Sequence, residues 1–159
     1  MRRLRCLKYL LVGAFALITH KLNAQCFTPV TGGQWPSGTT TAPSVGGVVQ
    51  QITTAEYKDE YNLISVVSGQ TYTVGNCGTV NGTNTTTGTT VTVTDDLGTN
   101  PAIAFGTDAT GGACATFTAT YTGNVRVYYH TNSCGTEPSG PSFTTAIVCT
   151  TCTPPPPPP

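Results

Sequence analysis

The chain has 159 residues and balances seven basic against seven acidic side chains, but that neutrality belongs to its first two dozen residues. A basic head (Arg2, Arg3, Arg5, Lys8), an apolar run from Tyr9 to Ile18 and the small-residue pattern closing at Ala24 mark residues 1–24 as a secretory signal peptide, too short in its apolar run to span a bilayer. Cleavage before Gln25 leaves Lys58 and Arg126 against seven acids, a net charge of −5, which excludes nucleic-acid binding and disfavours anionic membrane surfaces.

The predicted elements follow in order. Cys26 directly after Gln25 raises the possibility of a lipoprotein, but that signal needs a small residue before the cysteine, so no lipid anchor and no membrane insertion are expected. Cys26 to Ser44 reads as a Pro/Gly/Thr-rich entry loop carrying the only tryptophan, Trp35, which is expected to plug one end of the fold, since a lone tryptophan usually buries most of its surface. Gly46 to Thr53 and Glu60 to Val67 read as strands, then Thr71 to Asn76 with Tyr72 and Val74 on one face. Asn76 to Thr89 is too polar to pack and is expected to be a loop. Strands at 90–95 and Pro101 to Gly106 follow, the second entered by a proline that suits a strand start.

Cys114 to Gly135 has the clearest pattern. Ala115, Phe117, Ala119 and Tyr121 alternate with polar residues, and so do Val125, Val127, Tyr129 and Thr131. The two strands are expected to form a hairpin, in which a three-residue loop at Thr122-Gly123-Asn124 places both apolar sets on one face. Phe143 to Cys149 closes the sheet. About eight short strands with turn residues between them predict an all-β, antiparallel, jelly-roll-like sandwich over residues 25–153. Pro154 to Pro159 reads as a stiff polyproline spacer, with further domains expected beyond it in the parent protein.

Six cysteines remain after cleavage: Cys26, Cys77, Cys114, Cys134, Cys149 and Cys152. In an exported chain they read as disulfide staples. The C-x-x-C at Cys149–Cys152 lacks the second ligand pair of a zinc site and the helix of a redox centre. The hairpin register displaces Cys134 from Cys114, so Cys77 is expected to bridge Cys114. Cys26 is then expected to bridge Cys149 or Cys152, and Cys134 the one left over.

WPSGTTT, EYNLISVVSGQTYTVGNCG, VTVTDDLG and GNVRVYYHTNSCG together resemble a domain of secreted and surface proteins of Bacteroidota, similar to the bacterial pre-peptidase C-terminal family. The resemblance covers nearly all of residues 26–152. It implies a β-sandwich that serves as an extracellular accessory or adhesion-type module in a larger protein. Relatives commonly carry an acidic cluster before the cysteine of the hairpin, where this chain has only Asp108.

For chemistry, His130 is the one histidine left after cleavage, and no motif sets a nucleophile beside it, so no enzyme and no catalytic residue is expected. No cofactor is expected either. Asp95 and Asp96 read as turn residues, with calcium bound by Asp95, Asp96 and Asp108 as the alternative. The outer face of the hairpin would set Thr118 beside Arg126, Tyr128 and His130. Such a face either solvates a sheet or stacks on and hydrogen-bonds a glycan. The expected function is a non-catalytic extracellular module, adhesive or structural; the alternative is a carbohydrate-binding module tethered to a secreted hydrolase.

Overall fold

The computed structural model describes residues 26, 32–81, 88–97, 102–108 and 111–153. The signal peptide, the cleavage site, Pro101 and the proline run lie outside the described residues. The strands are Gly33–Gln34 (β1), Thr40–Thr41 (β2), Val49–Glu56 (β3), Glu60–Val66 (β4), Thr71–Gly75 (β5), Thr89–Asp95 (β6), Ala104–Thr107 (β7), Cys114–Thr118 (β8), Gly123–Thr131 (β9) and Phe143–Cys149 (β10). The eight predicted strands are present with shifted ends, and the entry loop adds the two-residue β1 and β2.

They form two sheets packed as a sandwich. One runs β1-β4-β9-β6-β7, with β2 also on β4; the other runs β3-β10-β5-β8. All pairings are antiparallel except those of β1 and β2 with β4, which are parallel. From β3 onward the chain changes sheet at every connection but one, the β6–β7 hairpin.

That topology overturns the expected hairpin. β8 pairs with β5, Phe117 opposite Tyr72, while β9 lies in the other sheet between β4 and β6. Residues 119–122 arch across the sandwich. The alternation is present in both strands, but it has two solutions. Apolar residues that would share one face of a hairpin can equally point at each other from opposing sheets. Ala115 and Phe117 from one sheet and Val125, Val127 and Tyr129 from the other are all at most 5% exposed in one core. Complete burial of each large side chain there contributes about 1.5–3 kcal/mol.

The predicted polar loop after Asn76 also needs correction. Its first turn is a short helix, Gly78–Asn81 (α1), whose Val80 is buried against Ala146 and Val148, with Cys77 and Cys114 beside them. Valine alone among Thr, Gly and Asn residues was enough to seat it.

All six cysteines form bridges: Cys26–Cys134, Cys77–Cys114 and Cys149–Cys152. Cys77–Cys114 is the expected pair, though for another reason: β5 pairs with β8, Cys114 sits opposite Gly75, and Cys77 lies two residues on. The other two expected pairings fail. Cys149 and Cys152, 5.6 Å apart at Cα, close on each other after β10, which leaves Cys26 for Cys134.

Candidate functional site

The outer face of the six-stranded sheet carries the most concentrated chemistry. On β9, Val125, Val127 and Tyr129 point into the core, so Arg126 and Tyr128 point out. On β4, Asn62, Ile64 and Val66 are buried and Tyr61 and Leu63 point out. Register then sets Tyr61 against Tyr128 and Leu63 against Arg126, with Thr92 of β6 on the other side of Tyr128 and Phe105 of β7 beyond it.

These neighbours make real contacts. The rings of Tyr61 and Tyr128 lie 5.3 Å apart at 44°. The Arg126 guanidinium sits 5.0 Å over the Tyr61 ring and its Nη1 donates to the Tyr128 hydroxyl at 3.5 Å. Asp96 stands 3.8 Å from Arg126 Nε and also accepts from the Asn124 amide. Burial pulls the Arg126 pKa down, but the Tyr128 hydrogen bond, Tyr128, Tyr61 and Asp96 outweigh it, so the value ends above its ordinary one. The result is a fixed cation between two half-buried phenol rings, with a half-exposed carboxylate at its edge.

Of the four residues expected on one face, the structure brings together Arg126 and Tyr128. Thr118 is in the other sheet, where its hydroxyl pairs with that of Thr71 at 2.8 Å. His130 does point to the outer side and stacks 6.3 Å from Tyr128, but it is fully buried and neither ring nitrogen has a partner among the described residues. Burial lowers its pKa, opposed by the charge of Asp59, so the imidazole is neutral at neutral pH. Tyr61 was missed, although the alternation of Asn62, Ile64 and Val66 already turns it outward.

The three acids considered for calcium are not gathered. Thr90 pairs with Thr107, which puts Asp108 at one end of the β6–β7 hairpin and Asp95 and Asp96 at the other. Asp108 accepts instead from the Gly88 amide ahead of β6 and from the Gly111 amide of its own loop. Among the described residues no group of three or more His, Cys, Asp or Glu is placed to hold a metal. Trp35 also departs from expectation: it is 42% exposed, and its indole N–H donates to the Thr53 hydroxyl at 3.2 Å. It spans the open side of the sandwich from β4 toward β3 and does not plug an end.

A second polar cluster had no signal in the sequence beyond an asparagine in an inward position. Asn62 donates to the Trp35 carbonyl and to Glu56 Oε2, and accepts from the Tyr129 hydroxyl at 2.8 Å. Glu56 is fully buried, and desolvation pushes its pKa up to about 9, with the Asn62 hydrogen bond acting against the shift. The carboxyl is therefore protonated at neutral pH. Burial also raises the Tyr129 hydroxyl well above its ordinary value, with the charge of Glu56 adding to the effect.

No protein-family model matches the chain, and no curated protein does. Among solved structures, the chain is similar to the pre-peptidase C-terminal domain of collagenase from Bacillus anthracis. The identity is 13% and the TM-score 0.44, over 72% of this chain and 96% of that one. The fold class rests on this chain's own two sheets, and its function has to be argued from its own side chains.

Proposed function

We propose that the chain is a non-catalytic, extracellular β-sandwich module of a secreted or cell-surface bacterial protein, acting in adhesion through the Tyr61–Arg126–Tyr128 face. The observation that carries the reading is that face itself. Two phenol rings offer apolar surfaces, and the cation held between them and the adjacent Asp96 offer hydrogen bonds of both polarities. That combination suits a sugar, whose C–H faces stack on rings while its hydroxyls donate and accept. Three disulfides support residence in an oxidising compartment. The acid–base groups with the most altered surroundings, Glu56, Tyr129 and His130, are all fully buried and out of reach of a substrate, which favours binding over turnover. No described helix is long and apolar enough to cross a membrane.

The second reading, a carbohydrate-binding module serving a hydrolase elsewhere in the same protein, rests on the same face. A glycan array on the purified chain tests the first claim. Binding in the micromolar to millimolar range that falls at least tenfold in Tyr128→Ala supports it. Unchanged binding by that variant, or no glycan bound at all, contradicts it. The downstream reading frame then separates adhesion from enzyme targeting.

A further inference from the structure

The tyrosines beside Arg126 belong to a longer row. Register sets Gln34 of β1 beside Tyr61 of β4, Tyr61 beside Tyr128 of β9, Tyr128 beside Thr92 of β6 and Thr92 beside Phe105 of β7. Val93 lies in the core and has Ala104 opposite it, so Phe105 falls on the outer side with the others. Neighbouring strands lie about 4.8 Å apart, so the row crosses five strands and runs for about 19 Å. One sugar on Tyr61 and Tyr128, whose ring centroids are 5.3 Å apart, leaves Phe105 uncovered two strands away.

Three properties of the row bear on what it would hold. Phe105 is only half-buried, as Tyr61 and Tyr128 are. Thr92, between Tyr128 and Phe105, points outward yet is fully buried, so its neighbours close over it and the apolar strip is unbroken. At the other end the Gln34 amide donates to the carbonyls of Pro36 and Gly38, at 3.1 Å each, which leaves its side-chain oxygen as an acceptor. Charge is the third property. Arg126, the cation of this face, is balanced by Asp96 at 3.8 Å, so the platform offers no net charge to a ligand.

We propose that the occupant is an uncharged, linear oligosaccharide of several units, laid across the strands so that it stacks on Tyr61 and Tyr128 and again on Phe105. The proposal rests on the glycan-binding reading above and adds the ligand's length, direction and charge. Rings set along one line match a chain of rings, whose C–H faces stack while its hydroxyls bond to Gln34 and Arg126. An acidic chain would gain nothing from a cation already matched by Asp96. An extended peptide gains its main-chain hydrogen bonds by running along a free strand edge, whereas this row crosses strands whose backbone groups already pair with one another. Sheet twist decides between a free chain and a crystalline surface. Each strand is rotated by roughly 20–25° from the next, so the Phe105 platform is turned by roughly 40–50° from that of Tyr128. A free chain follows that turn by rotating about its glycosidic bonds, and the flat face of a crystalline polysaccharide does not.

Isothermal titration calorimetry with soluble cello-, xylo- and chito-oligosaccharides of two to six units, and with oligogalacturonides of the same lengths as charged probes, tests the proposal. In at least one uncharged series the dissociation constant should fall at least tenfold between two and five units and then level off. The oligogalacturonides should bind at least tenfold more weakly than that series. Phe105→Ala should erase the gain with length, so that six units bind no better than two, and Thr118→Ala in the opposite sheet should change nothing. Equal affinity for two and six units overturns the proposal and leaves the glycan-binding reading standing. So do a gain with length that survives Phe105→Ala or is lost in Thr118→Ala, and tighter binding of the charged chains. No binding in any series overturns both. If Phe105→Ala does not fold, the length dependence of the native chain still decides.

Discussion

Replacing Glu56 by glutamine should stabilise the protein, and the gain should depend on pH in a way that can be worked out. The folded carboxyl has a pKa of about 9 against an ordinary 4.5, because burial penalises its charged form. Between those values the folded state holds a proton that the unfolded chain releases. Stability is therefore fully present below pH 4.5 and declines as pH rises toward 9, at about 1.36 kcal/mol per pH unit. The loss reaches roughly 3 kcal/mol at pH 7 and roughly 6 kcal/mol at pH 9. Glutamine keeps the oxygen that accepts from the Asn62 amide but has no proton to lose. The two proteins should unfold alike near pH 4.5 and diverge above it, the variant ahead by roughly 3 kcal/mol at pH 7. Urea denaturation at half-unit steps from pH 4.5 to 9 measures the difference, and taking the difference removes titrations common to both proteins. Parallel curves would refute the reasoning, since they would place the Glu56 carboxyl in water or in an ion pair.

The disulfides should rank by the loop each closes. Removing Cys26–Cys134, with a separation of 108 residues, should cost about 5 kcal/mol, and removing Cys77–Cys114, with a separation of 37, about 4 kcal/mol. Removing Cys149–Cys152, with a separation of 3, should cost under about 2 kcal/mol. Melting temperatures of the three double-serine variants check the order. Gly106→Ala should destabilise by about 1–3 kcal/mol, because its methyl group meets the backbone carbonyl of Cys114, which cannot swing aside. A melt equal to that of the native protein would mean that β7 and β8 do not close the sandwich. Tyr61→Ala should weaken glycan binding as much as Tyr128→Ala and leave the melting temperature nearly unchanged.

Period-2 alternation located the eight main strands, and the alternation along β4 and β9 also says which side chains point outward. Alternation is a local property, however, and partner choice is not. Nothing in residues 114–131 distinguishes strands that pair side by side from strands that face each other across a core, and the error in partner carried Thr118 into a site it does not join. Cys134 was misassigned for the same reason. His130 sits on the outward set, yet it is buried, because burial on an outer face depends on what lies over it. Glu56 was hidden more thoroughly: an acid at a strand end reads as a solvated residue, and only the fold brings Asn62 and Tyr129 to it.

The face formed by Tyr61, Arg126 and Tyr128 is the centre of the functional account. Its most direct test is to titrate a glycan identified on the array into isotope-labelled protein and follow side-chain and amide resonances. The account predicts that the largest shifts fall on Tyr61, Arg126 and Tyr128, with Asp96 and Leu63 next to them and Thr118 unmoved in the opposite sheet. Shifts gathered instead around Trp35 and β3, or spread evenly with no saturation, would contradict it.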